Sequence, residues 1–138
     1  MLNARLKAMV LAVLSPVCAA GQIGTHPLKV NYCDVAASPA DYNGRVLSVE
    51  VVLSPGEHSL ALYDAACARK EGSDNSTQAI LPNSWESLPN GKKLRAILKR
   101  GRNAKVTVVG TFESGGGRYG PDVARFRFSI SEVNSVSR

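Results

Sequence analysis

Aromatic residues are few in this chain of 138, with three Phe, four Tyr and one Trp. Phe112, Phe126 and Phe128 fall on inward positions of strand-like segments, which leaves little for the stacked platform that single-stranded nucleic acid requires. Nucleic acid is therefore disfavoured as a partner. Histidine is scarcer still, and His26 and His58 fall short of the ligand set of a Cys/His metal site. Neither sits at a spacing that pairs it with a Ser or Cys nucleophile and an orienting acid. Past residue 20 no apolar run is long enough to span a bilayer. Gly115-Gly116-Gly117-Arg118 lacks the Lys and hydroxyl residue of a phosphate loop and lies between two strands. These absences predict no catalytic residue, no metal and no cofactor.

What the N-terminus does contain is a secretory pattern. Arg5 and Lys7 precede the apolar run Ala8 to Leu14, which is followed by Ser15, Pro16 and the small residues Ala19 and Ala20. Residues 1–20 are thus expected to be a signal peptide, with a mature chain beginning at Gly21. A lipid anchor on Cys18 is the alternative, but Val17 and Pro16 stand where a small residue should precede the cysteine. The mature chain would carry fifteen cations against eleven acids, a net charge of +4. Its length suits one domain that needs no metal to fold.

Cys33 and Cys67 remain after cleavage, and in an oxidising compartment a disulfide between them is the default. The expected location is periplasmic or secreted. Asn75-Ser76-Thr77 matches an N-glycosylation acceptor.

Residues 21–32 show no clean period and read as a mobile lead-in, so the domain is placed at 33–138. Ser38-Pro39-Ala40-Asp41 has the N-cap, first-turn proline and acid of a short helical turn, ended by Asn43-Gly44. Leu47, Val49, Val51 and Leu53 then alternate with polar neighbours, predicting a first strand. Ser54-Pro55-Gly56 turns the chain into a second, with Leu60 and Leu62. Gln78 to Leu81 is a weaker third strand stopped by Pro82. Leu94, Ile97 and Leu98 recur at helical spacing up to Gly101, and Trp85 before them reads as a core cover. Val106, Val108 and Phe112 mark a fourth strand, and Ala124, Phe126, Phe128 and Ile130 a fifth.

Three strands, a helix and two strands is the order of the OB-fold. The expected fold is mainly β: a five-stranded, antiparallel, OB-fold-like Greek-key barrel with one helix between strands three and four. An open α+β sandwich is the alternative. The chain also resembles small exported bacterial OB-fold-like proteins of uncharacterised function. The resemblance rests on Cys33-Asp34, Tyr42-Asn43-Gly44-Arg45-Val46, Leu62-Tyr63-Asp64 leading to Cys67, Val108 to Glu113, and Tyr119-Gly120-Pro121. The chain departs from that pattern at Val51-Val52-Leu53 and at Pro121. The likeness implies fold and export, and no chemistry.

Two groups of residues are candidate contacts. Lys92 to Lys105 holds seven cations and no acid, and on a helical wheel Lys92, Arg95, Lys99 and Arg102 share a stripe about 80° wide. It suits a polyanion such as a cell-surface polymer, anionic lipid or nucleic acid, or else is a solvated face. Arg118, Tyr119, Arg125 and Arg127 lie in or after the loop joining strands four and five, beside the usual OB-fold ligand face. A non-enzymatic binding module contacting an unidentified protein or an anionic envelope component is the favoured reading. A polyanion-binding protein is the second, and a small hydrolase using Asp34 and Asp64 the third.

Overall fold

The computed structural model describes residues 26–68 and 74–138. The expected signal peptide, its expected cleavage point and Cys18 lie outside them. In chain order the elements are β1 (Leu28–Lys29), α1 (Tyr32–Ala37), α2 (Pro39–Tyr42), β2 (Val46–Pro55), β3 (Leu60–Tyr63), β4 (Thr77–Ile80), a 3₁₀ turn (Trp85–Ser87), α3 (Gly91–Leu98), β5 (Ala104–Glu113) and β6 (Phe126–Ser137).

β2 to β6 form the barrel, and β1 is an extra strand on its side. The strand order is β1-β2-β3-β4-β6-β5, and β2 pairs with β5 to close the sheet on itself. Closure removes the exposed edges that an open sheet of this length would present. The expected five-stranded barrel with a helix between its third and fourth strands is what the chain forms. It is not wholly antiparallel, because β4 and β6 run in the same direction from Thr77↔Phe126 to Ile80↔Ser129. α3 and β5, which lie between them in the chain, supply the long crossover that parallel neighbours require.

Alternation builds the core directly. Leu47, Val49, Val51 and Leu53 of β2, Val106, Val108 and Phe112 of β5, and Phe126, Phe128 and Ile130 of β6 are all buried. Leu94 and Ile97 of α3 join the same cluster, with Leu98 and Trp85 packed against it. Each fully buried side chain of this size stabilises by about 1.5–3 kcal/mol relative to leaving it in water. Gly110 sits where the β5–β6 register shifts, and a Cβ there would come within 2.6 Å of Phe128 Cε1. The register shift thus falls at a residue with no side chain.

Part of the lead-in carries regular structure. Leu28 and Lys29 pair in parallel with Leu47 and Ser48, and Asn31 then caps α1, its Oδ1 accepting from Cys33 N at 2.8 Å. The short helical turn expected at Ser38 forms as α2, although the Ser38 side chain makes no capping bond. Gly44 leaves it at a φ of 77°.

Candidate functional site

β3 and β4 are joined by only two paired positions, Leu60↔Ala79 and Ala61↔Gln78. Beyond them the strands part, and a groove of about 450 Å³ opens in the gap. Tyr32 and Thr77 lie at its base and Ala61, Leu62, Tyr63, Tyr119 and Ala124 along its walls. Tyr32 is 1% exposed, and its hydroxyl is hydrogen-bonded to Thr77 Oγ1, which in turn donates to the Asn75 carbonyl at 3.0 Å. Burial pushes the Tyr32 phenol well above its ordinary pKa, so it stays neutral.

The rim is drawn from three loops. Ser59 from the β2–β3 turn is hydrogen-bonded to Asp122 from the β5–β6 loop. Asp74, before β4, is bound by Arg118 from that same loop and by its neighbour Ser76. The Arg118 hydrogen bond is the main reason the Asp74 carboxyl is held down to about 2, with Ser76 adding to it. Arg125 N donates to Ser76 Oγ at 3.0 Å and Phe126 N to the Ser76 carbonyl at 3.0 Å, so the start of β6 is stitched to the start of β4. Asp64, Asp74 and Asp122 line the groove, and no Lys or Arg does so among the described residues. Asp74 is neutralised by Arg118, while Asp64 and Asp122 belong to no ion pair among the described residues.

The β5–β6 loop is tight. Tyr119 and Ala124 exchange two backbone hydrogen bonds of 2.8 Å, and the residues between them include Gly120 at φ 67° and Val123 at φ 55°. A left-handed conformation is ordinary for glycine and strained for a β-branched residue. Val123 is nonetheless 56% exposed, so a strained apolar side chain faces solvent beside Asp122.

The arginines expected to contact a ligand here are occupied within the fold. Arg118 binds Asp74. Arg127 binds Glu113, whose carboxyl is lowered by that hydrogen bond while the guanidinium is raised, and it lies 4.9 Å over the Tyr119 ring. Arg125 lies over Phe126 and donates to the Asp74 carbonyl at 3.1 Å. Tyr119 is buried, and its hydroxyl accepts from Gly116 N at 2.8 Å. Arg118 and Arg125 hold Asp74 at the rim; the polar residues lining the groove include Ser59, Asp64, Asp74, Gln78 and Asp122, of which sequence reasoning singled out only Asp64, as a hydrolase carboxylate.

Cys33 and Cys67 lie at disulfide distance, with Cα atoms 5.7 Å apart, tying α1 to the segment that borders the groove. Asp64 stands within 4.8 Å of both sulfurs, and its Oδ1 accepts from Ala66 N. With each sulfur committed to the other, this trio offers one carboxylate and no metal site. Asp34 is exposed on α1, and among the described residues no hydrogen bond or ion pair joins it to Asp64.

On α3, Lys92 and Arg95 are exposed, and Arg95 meets Glu86 at 3.9 Å. The helix ends at Leu98, with Lys99 as its cap and Gly101 at φ 67°. Arg102 follows that left-handed turn, so it is not part of the helical stripe. No helix among the described residues is long and apolar enough to cross a membrane.

The groove thus lies between the second and third strands of an OB-fold-like barrel. Comparison with protein-family models, with curated proteins and with solved structures gives no match for this chain.

Proposed function

We propose that this protein is an exported, non-enzymatic binding module that holds a segment of a partner protein in the groove between β3 and β4. The observation that carries this reading is the groove itself, a preformed cleft of about 450 Å³ with apolar walls and three carboxylates. Cationic or hydrogen-bonding side chains suit Asp64 and Asp122, and the apolar walls suit the aliphatic residues between them. Val123 offers a further apolar contact at the rim. Export rests on the N-terminal pattern and on a cysteine pair of the kind that persists in oxidising compartments; periplasm and external medium fit equally.

Peptide display on the folded protein tests it. Selected peptides should be rich in Lys or Arg with apolar neighbours, should be lost with Ala61→Trp, which fills the groove, and should bind more weakly to Asp122→Asn. Peptides that ignore both substitutions, or no selection at all, would overturn the reading. The intact mass of the exported protein, with and without reduction and alkylation, checks the compartment: a chain from Gly21 gaining two alkyl groups only after reduction is expected.

A further inference from the structure

Away from the groove, a depression of about 340 Å³ lies between α3 and the end of β6, lined by Lys93, Ala96, Ile97, Arg100, Arg102 and Arg138 together with Ser137. Lys93, Ala96 and Ile97 share one face of α3 by their i, i+3, i+4 spacing, and Arg100 follows just past the helix end. Gly101 then reverses the chain, its N donating to the Leu98 carbonyl at 2.9 Å, and Arg102 N reaches back to the Ile97 carbonyl at 3.4 Å. This turn delivers Arg102 to the face that Lys93 and Arg100 already flank.

Four cationic side chains thus converge on one hollow, and no acidic side chain lines it. None of the four belongs to an ion pair among the described residues. Attraction to the negative end of a helix accounts for Arg100 and Arg102. It does not account for Lys93, in the first turn, nor for Arg138, on another element. Like charges gathered well within a Debye length of about 8–10 Å repel one another, and a multivalent anion relieves that repulsion.

We propose that this hollow binds a flexible polymer bearing phosphate groups, read through charge and guanidinium hydrogen bonds. No aromatic ring lines it, so it lacks the stacking surface a nucleobase would use. Among the described residues the exposed large apolar ones are Leu28, Val46, Ile80 and Val123, none of them on α3 or in the hollow, so the hollow offers charge rather than an apolar anchor.

Calorimetric titration with inorganic polyphosphate is the test. With four cations engaged, raising salt from about 50 to about 200 mM should weaken binding roughly 50- to 150-fold. Lys93→Glu with Arg102→Glu should abolish binding, and the milder pair Lys93→Ala with Arg102→Ala should weaken it at least tenfold. Lys29→Glu with Arg45→Glu changes the net charge equally and should leave affinity within about threefold, since those residues lie elsewhere. An equal loss in that control would make the effect one of overall charge and overturn the proposal. Orthophosphate bound as tightly as the polymer, or tighter binding to single-stranded DNA or to phosphatidylglycerol vesicles, would overturn it in favour of a small-anion, nucleic-acid or membrane site.

Discussion

Breaking the Cys33–Cys67 link is the perturbation whose size follows most directly from the structure. The two residues are 34 apart in sequence, and closing a loop of that length removes roughly 3 to 4 kcal/mol of unfolded-state entropy on the chain-entropy account. In a domain of about 110 residues, unfolding entropy near about 2.1 cal/mol/K per residue converts this to a Tm lower by about 13–17 °C. The native packing should survive. Tyr32, next to Cys33, is held independently by burial and by its hydrogen bond to Thr77. Cys33→Ala with Cys67→Ala should therefore keep the near-ultraviolet circular dichroism of the parent at 25 °C while melting at the lower temperature, and reductant should lower the parent's Tm to match. A Tm fall of less than about 4 °C, or loss of the near-ultraviolet signal without unfolding, would refute the view that the link acts on the unfolded chain.

Gly110→Ala should lower stability by about 1–3 kcal/mol in urea denaturation, because its Cβ would press on Phe128 and on the Ser129 backbone. Val123→Gly relieves a left-handed β-branched residue and should raise stability by about 1 kcal/mol, with weaker binding of groove-selected peptides as the counterpart. Asn90 Nδ2 donates to the Val133 and Asn134 carbonyls at 3.1 Å, from a residue at φ 65°. Asn90→Ala should thus cost about 2 kcal/mol and Asn90→Gly, which accepts the conformation, about half as much. Asp74 has its folded pKa depressed from 3.8 to about 2, so its contribution is present above pH 3.8 and is lost as pH falls toward 2. Asp74→Asn should therefore narrow the stability difference between pH 4 and 2 by less than about 1 kcal/mol, since the pair is exposed to solvent. The carboxyl resonance of Asp74 should titrate near 2.

The barrel was legible in the sequence because its strong strands alternate cleanly. Leu47 to Leu53 and Ala124 to Ile130 each declare a buried face, and the break to helical spacing at Leu94 places α3 between the third and fourth strands. β1 was not legible, because two residues display no period. α1 left one signal, Asn31 with Asp34 three positions on, which has the form of a capped helix start. The parallel union of β4 and β6 depends on which strands meet in space, and no local pattern encodes that. The candidate site was half legible. The loop holding Arg118 and Tyr119 does border the groove, but alternation on β6 says only that Arg125 and Arg127 leave the core, not that Asp74 and Glu113 wait for the arginines there. Ser59, Asp74 and Asp122 were missed because they converge from separate loops, and Asp64 was named only as a partner of Asp34, which lies apart from the groove. Arg102 was misplaced because the wheel was continued through Gly101, where the helix has ended.

The pairing of β6 with both β4 and β5 sets the order in which this molecule can become itself. Both of those seams wait for residues 126–137, the last of the described strands in chain order. Until then β2, β3 and β5 can form a sheet, but β4 lacks its second neighbour and Phe112 lacks Phe126 and Phe128. A chain assembled chiefly from such distant pairings folds in about milliseconds to seconds rather than microseconds. β6 is thus the strand whose docking completes the barrel, on both of its sides at once.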